Sequence, residues 1–130
     1  MNTELRRSPR YADFLPISLS ACRNDDGKHV AGPFSARILD LSNHGSCLLL
    51  TQVMMQSFHI FHSTREDDFI DLILHINLPA EKDTLEIIAK PIWLNATKLG
   101  DIKVFKMGVN FLERIDENLL QNINKMINQK

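Results

Sequence analysis

The stretch FIDLILHINLP sets Ile70, Leu72, Leu74, Ile76 and Leu78 against Asp71, Ile73, His75 and Asn77 in strict alternation. Successive side chains of a strand point to opposite faces, so this run commits the chain to a sheet with one apolar side. Other segments repeat the signal. From Phe14 to Cys22, Leu15, Ile17, Leu19 and Ala21 fall on one face. FSARILDLS and GSCLLL read as the second and third strands, separated by the turn residues NHG, with the third mostly buried on both faces. The polar, glycine-bearing stretch RNDDGKHVAGP reads as the hairpin connection between the first two strands. LEIIAKPIWLNATK and DIKVFKMGVNFLE are two long strands joined near Leu99-Gly100-Asp101, and Phe105, Met107, Val109 and Phe111 share a face in the second.

The period changes at the end. Ile115, Leu119, Ile123, Met126 and Ile127 recur at helical spacing behind Asp116, which fits an N-cap. About six strands followed by one helix predict a mainly β fold, a small antiparallel barrel or sandwich with the C-terminal α-helix packed on it. A chain of 130 residues is long enough to bury such a core as one domain without disulfide or metal staples. The divisions are an N-terminal segment (1–13), the β domain (14–113) and the helix (114–130). The link TQVMMQSFHIFHSTREDD is too apolar at Val53, Met54, Met55, Phe58, Ile60 and Phe61 for a solvated loop. An extra strand, a short helix and a contact surface all remain open for it.

Composition excludes several function classes. With 15 basic against 16 acidic residues, the chain has no global field to hold a polyanion, and DNA or RNA is not an expected partner. Single-stranded nucleic acid would also need aromatics along a basic groove, whereas the chain has one Trp and one Tyr. Cys22 and Cys47 are too few for a disulfide framework or a zinc site and fit a reducing cytoplasm. No apolar run approaches the roughly 20 residues of a membrane-spanning helix, so membrane insertion is not expected. The start RR…FLPISLSAC has the outline of a lipoprotein leader, but Asp13 and Pro16 break its apolar region and Ser18 and Ser20 alternate as in a strand.

Positive charge is gathered in one place, Arg6-Arg7-Ser8-Pro9-Arg10. Pro9 disfavours helix at Ser8, so the segment is extended and Arg6 and Arg10 stand up to roughly 13 Å apart. That reach lets two guanidinium groups embrace one compact ligand. A guanidinium pairs bidentately with phosphate, grips the O6/N7 edge of guanine and stacks on a purine face, which lysine cannot match. A second element, Asp40-Leu41-Ser42-Asn43-His44-Gly45, ends the second strand. With Leu41 inward, Asp40 and Ser42 share the outer face, where a carboxylate and a hydroxyl can meet the N1 and N2 donors of a guanine. Gly45 permits positive φ and close backbone approach. Taken singly, each element has an ordinary explanation: a basic tail is solvated charge, and Asp40 and Ser42 satisfy turn amides.

In this order, RxxxR before the first strand, DxSxxG at the end of the second and the late strand MGVNF leading to a helix resemble the PilZ domain, over nearly the whole chain. The resemblance implies a six-stranded β-barrel that serves as a bacterial receptor for cyclic di-guanylate (c-di-GMP), with no catalysis and no cofactor. It makes Arg6 and Arg10 the clamp, Arg7 a helper, and Asp40, Ser42 and Gly45 the guanine-holding motif. Gly108 and His44 are possible additional contacts, and Trp93 fits the penultimate strand as core. Leu5, where an arginine could stack on a second ligand, favours one c-di-GMP per domain. Such a receptor would signal in trans through a protein partner, with the 53–61 segment and the outer face of the final helix as candidate docking surfaces, although core packing is the expectation for most of those residues. The alternative is an adaptor with the PilZ fold that does not depend on the ligand; members of that kind typically lack the arginine motif.

Other constellations are weaker. His59 and His62 lie near Glu66, Asp67, Asp68 and Asp71 without the fixed spacing of a metal motif, so no metal is expected. No nucleophile arrangement, phosphate loop or carboxylate pair on a rigid element supports catalysis.

Overall fold

The computed structural model describes residues 10–78 and 84–128. A short 3-10 turn, Tyr11–Asp13, precedes β1 (Leu15–Arg23), β2 (His29–Leu41) and β3 (Gly45–Leu50). A small ribbon of β4 (Met54–Met55) and β5 (Phe58–His59) and the single-turn helix α1 (His62–Arg65) follow. The chain continues through β6 (Ile70–Asn77), β7 (Thr84–Leu99) and β8 (Ile102–Phe111) to α2 (Glu117–Asn128). Six strands close a barrel in the order β1-β2-β3-β8-β7-β6, antiparallel throughout. Closure leaves no free sheet edge.

Alternation supplies the barrel's interior. Leu19, Ile38, Leu48, Leu72, Leu74, Ile76 and Met107 are fully buried there. Each such side chain contributes about 1.5–3 kcal/mol of burial free energy. The helical stripe covers one end: Ile115, Leu120 and Ile123 are buried, and Leu119, Met126 and Ile127 pack against the core. Asp116 begins α2 as its spacing predicts, its carboxylate accepting the Asn118 N–H at 2.8 Å.

One segment differs from the sequence-based expectation, and a second is one the sequence leaves open. The hairpin turn between β1 and β2 is shorter than RNDDGKHVAGP, because β2 already starts at His29. Its first part stays in the ladder through a register shift: Phe34 pairs with Leu19, whereas Ala31 pairs with Ala21. A bulge absorbs the Gly32-Pro33 step that in sequence looks like loop. The second segment, 52–68, folds back onto the barrel. Ile60 is fully buried, and Val53, Met55, Phe58 and Phe61 pack on the core. Arg65 pins α1 to β7 by donating to the Pro91 carbonyl at 2.9 Å. Most of these apolar residues are therefore core, and Met54, 50% exposed, is the exception.

Asp71 is 6% exposed on the outer side of β6, and the Lys90 ammonium on β7 lies 2.7 Å from its Oδ1. Lys90 also donates to the carbonyl of Ile70 at 2.6 Å and to that of Asp68 at 3.3 Å. Lys90→Ala leaves a buried carboxylate without its cation. It is expected to cost about 1.5 kcal/mol, because Lys90 itself is partly solvated. Differential scanning calorimetry should show a melting temperature lower by about 5 °C; an unchanged melting temperature contradicts this role.

Candidate ligand-binding groove

The interior phase of β2 runs through Phe34, Ala36 and Ile38, so unbroken alternation would turn Asp40 into the core. It does not, because Leu39 is an extra residue: Ile38 pairs with Leu48, and Asp40 pairs with Cys47. The bulge reverses the phase and puts Asp40 on the outer face while Leu41 packs on the core. The same device operates on β7. Ile87, Ala89 and Pro91 are buried, yet the register shifts between Pro91 and Trp93. Trp93 therefore faces outward and is 40% exposed, which corrects its reading as core. Two bulges thus aim one carboxylate and one indole into the same outer row, Asp40–Cys47–Gly108–Trp93, across β2, β3, β8 and β7. Three strand spacings make that row about 14 Å wide.

These residues line a groove of about 300 Å³ together with Ser42, His44, Gly45 and Asn110. Asp40, Ser42, Gly45, His44 and Gly108, singled out in the sequence, are brought together here. Trp93 and Asn110 are the residues that sequence reasoning missed.

The turn is built by its own polar groups. The Ser42 hydroxyl accepts the N–H of Gly45 at 3.2 Å and of His44 at 3.3 Å, and donates to the Gly45 carbonyl at 3.3 Å. Asp40 Oδ1 accepts the Cys47 N–H at 3.1 Å, and Oδ2 has no hydrogen-bond partner among the described residues. Ser42 thus holds the turn, while one carboxylate oxygen of Asp40 stays open to the groove. Asn43 ties the turn to the start of the C-terminal helix, its side-chain N–H donating to the Ile115 carbonyl at 3.1 Å. Phe111 N–H bonds the His44 carbonyl at 2.7 Å.

Gly45 does not adopt positive φ. Its requirement is close approach, because a Cβ there would collide with the Val109 carbonyl oxygen of the adjacent strand. Gly108 has a parallel role: the Trp93 indole occupies the space a Cβ there would fill. Glycine on β8 is what lets the indole wall off the groove.

Burial pushes the Cys47 thiol above its usual pKa. The Asp40 carboxylate adds to this, and the Lys106 ammonium opposes it. The Cys47 thiol in the groove lining is therefore held in its neutral form.

Arg6 and Arg7 lie outside the described residues. Arg10 is exposed and opens the 3-10 turn, its N–H bonding the Asp13 carboxylate at 2.9 Å. The turn is fastened to the outer side of β2. The Arg37 guanidinium lies 5.0 Å from the centre of the Tyr11 ring and donates to the Phe14 carbonyl at 2.9 Å. Because β1 runs antiparallel to β2 from Leu15 opposite Ile38, the chain ahead of it leaves the barrel at the end that carries Asp40.

His59 and His62 have a structural explanation. His59 Nδ1 accepts the N–H groups of Phe61 and His62, and burial, helped by His62, lowers its pKa. Among the described residues, no group of three or more His, Cys, Asp or Glu could hold a metal ion. No described helix is long and apolar enough to cross a membrane.

The chain is thus a closed antiparallel barrel with a polar groove at the end of its second strand. The PilZ domain profile matches residues 4–129, and the chain belongs to the PilZ domain family. Among solved structures, the chain is similar to MrkH of K. pneumonia in its apo state, with 14% identity and a TM-score of 0.47 over 97% of this chain and 50% of that one. The chain thus spans about half the length of that protein. Curated proteins gave no match.

Proposed function

We propose that this protein is a c-di-GMP receptor that works without catalysis and without a cofactor. The observation that carries the reading is the convergence of Asp40, Gly45 and Trp93 on one outer-face groove, in a PilZ chain that keeps the full arginine motif. Arg6 and Arg10 close over the groove from the β2 side and hold phosphate and guanine, with Arg7 as helper. The open oxygen of Asp40 accepts from the N1 and N2 donors of one guanine, Ser42 fixes the turn beneath it, and Trp93 supplies a stacking wall. The turn is prebuilt, and ligand contacts with the arginine segment drive the change of surface offered to a protein partner. A bacterial, cytoplasmic setting fits this chemistry. The ligand-independent adaptor is the second reading; the complete arginine motif speaks against it.

Trp93 is the sole tryptophan, which makes the groove self-reporting. Saturable change of its fluorescence with c-di-GMP, and none with GMP or cyclic di-AMP, is the expected outcome. Unchanged emission at saturating c-di-GMP, in a folded protein, would sink the reading. Trp93→Ala is expected to weaken calorimetric binding roughly tenfold, since base stacking contributes about 1–3 kcal/mol. Gly108→Ala should have a similar effect by displacing the indole, and the two changes combined should not add. Additive losses would mean that Gly108 does more than seat the indole.

A further inference from the structure

Next to the row Asp40–Cys47–Gly108–Trp93 lies a second outer row, Arg37–Leu49–Lys106–Asn95, across the same four strands. It carries two cations with different commitments. Arg37 is occupied by the Phe14 carbonyl and the Tyr11 ring. Lys106 is half-buried, and its ammonium has no hydrogen bond or ion pair among the described residues. It lies two positions from Gly108 along β8, about 7 Å, with only Met107 between them, and both side-chain positions face outward. Its charge reaches the groove lining, since it acts on the Cys47 thiol against both burial and the Asp40 carboxylate. The neighbouring Lys103 is three positions away, on the opposite face of the strand, with Nζ 5.7 Å from the centre of the Phe105 ring.

We propose that Lys106 is the barrel's own phosphate-binding cation, contacting a phosphodiester of the ligand on the side of the groove away from the Ser42–Gly45 turn. The inference rests on the c-di-GMP reading above. A cyclic dinucleotide carries two phosphodiesters; Arg10 precedes a turn fastened to β2, and on the β7 side Arg65 is committed to the carbonyls of Pro91 and Ile92, which leaves Lys106 as the uncommitted cation beside the groove. A compact ammonium on a rigid strand suits that position, because it neutralises phosphate without the planar fork that base recognition needs.

The test is calorimetric titration of wild type, Lys106→Gln, Lys106→Arg and Lys103→Gln with c-di-GMP at low and high NaCl. Lys106→Gln is expected to bind roughly tenfold or more weakly, with a flatter salt dependence, as loss of a charge-assisted contact requires. Lys106→Arg should stay within about threefold of wild type, since it keeps the charge. Lys103→Gln removes the same charge from the other face and should change nothing. Wild-type affinity and salt dependence in Lys106→Gln would overturn the inference while the receptor reading stands. Equal weakening by both Gln variants would also overturn it, because net charge alone would explain the loss. If wild type itself does not bind, both the inference and the reading fail. Arg at position 106 also covers the case in which Gln impairs folding, since loss of binding in a folded Lys106→Arg protein contradicts a charge role.

Discussion

Arg10→Ala is expected to lower c-di-GMP affinity at least roughly 100-fold while the melting temperature stays within about 1 °C of wild type. The first half follows from chemistry: a guanidinium engaged bidentately contributes two charge-assisted hydrogen bonds of about 1.5–3 kcal/mol each. The second half follows from position. Arg10 is exposed, and among the described residues its side chain has no ion pair; its backbone alone holds the 3-10 turn, the N–H bonding the Asp13 carboxylate and the carbonyl accepting the Asp13 N–H, both at 2.9 Å. Arg10→Lys should fall between the two, keeping the charge and losing the fork. Arg6→Ala should match Arg10→Ala. Near-wild-type titrations for both alanine variants would remove the clamp from the account.

The second large effect is expected at Gly45, where binding and stability should fall together. A methyl group there meets the Val109 carbonyl oxygen, and β8 cannot yield because it is paired on both sides, with β3 and with β7. Overpacking of this kind costs about 2–3 kcal/mol. Gly45→Ala should thus melt about 8 °C lower and show no measurable c-di-GMP binding at temperatures where it remains folded. Ser42→Ala, which removes acceptors from the turn without adding bulk, should be milder in melting. A Gly45→Ala protein that melts and binds like wild type would show that the turn does not depend on this close approach.

Most of the barrel was legible because its strands keep period two over long runs: Ile70 to Leu78 and Phe105 to Phe111 read directly as buried faces. The helix is equally plain in Leu119, Ile123, Met126 and Ile127, whereas Ile115, on the same stripe, packs on the core just ahead of it. The groove was less legible, for one physical reason. Periodicity assigns faces only while one residue opposes one residue, and the groove is made where that count breaks. The extra residue at Leu39 puts Asp40 outside, and the register shift after Pro91 does the same for Trp93. An inward Leu41 puts Asp40 outside, and that phase holds only downstream of the bulge. No comparable anchor exists beyond Pro91, so Trp93 read as core. Gly45 was singled out for sound residue chemistry and the wrong geometry, since packing against another strand leaves no local trace. The link 52–68 stays open between strand and helix in the sequence because strands of two residues and a helix of four carry no period, and the structure holds both.

The central claim is that the outer-face groove receives c-di-GMP under the arginine clamp. Isothermal titration of the wild-type protein with c-di-GMP, with GMP and cyclic di-AMP as competitors, tests it most directly. The account predicts saturable binding in the micromolar range, near −8 kcal/mol. It predicts one ligand per domain and no displacement by either competitor. A demonstrably folded protein that yields neither heat nor competition would contradict it and leave a PilZ barrel that works without the nucleotide.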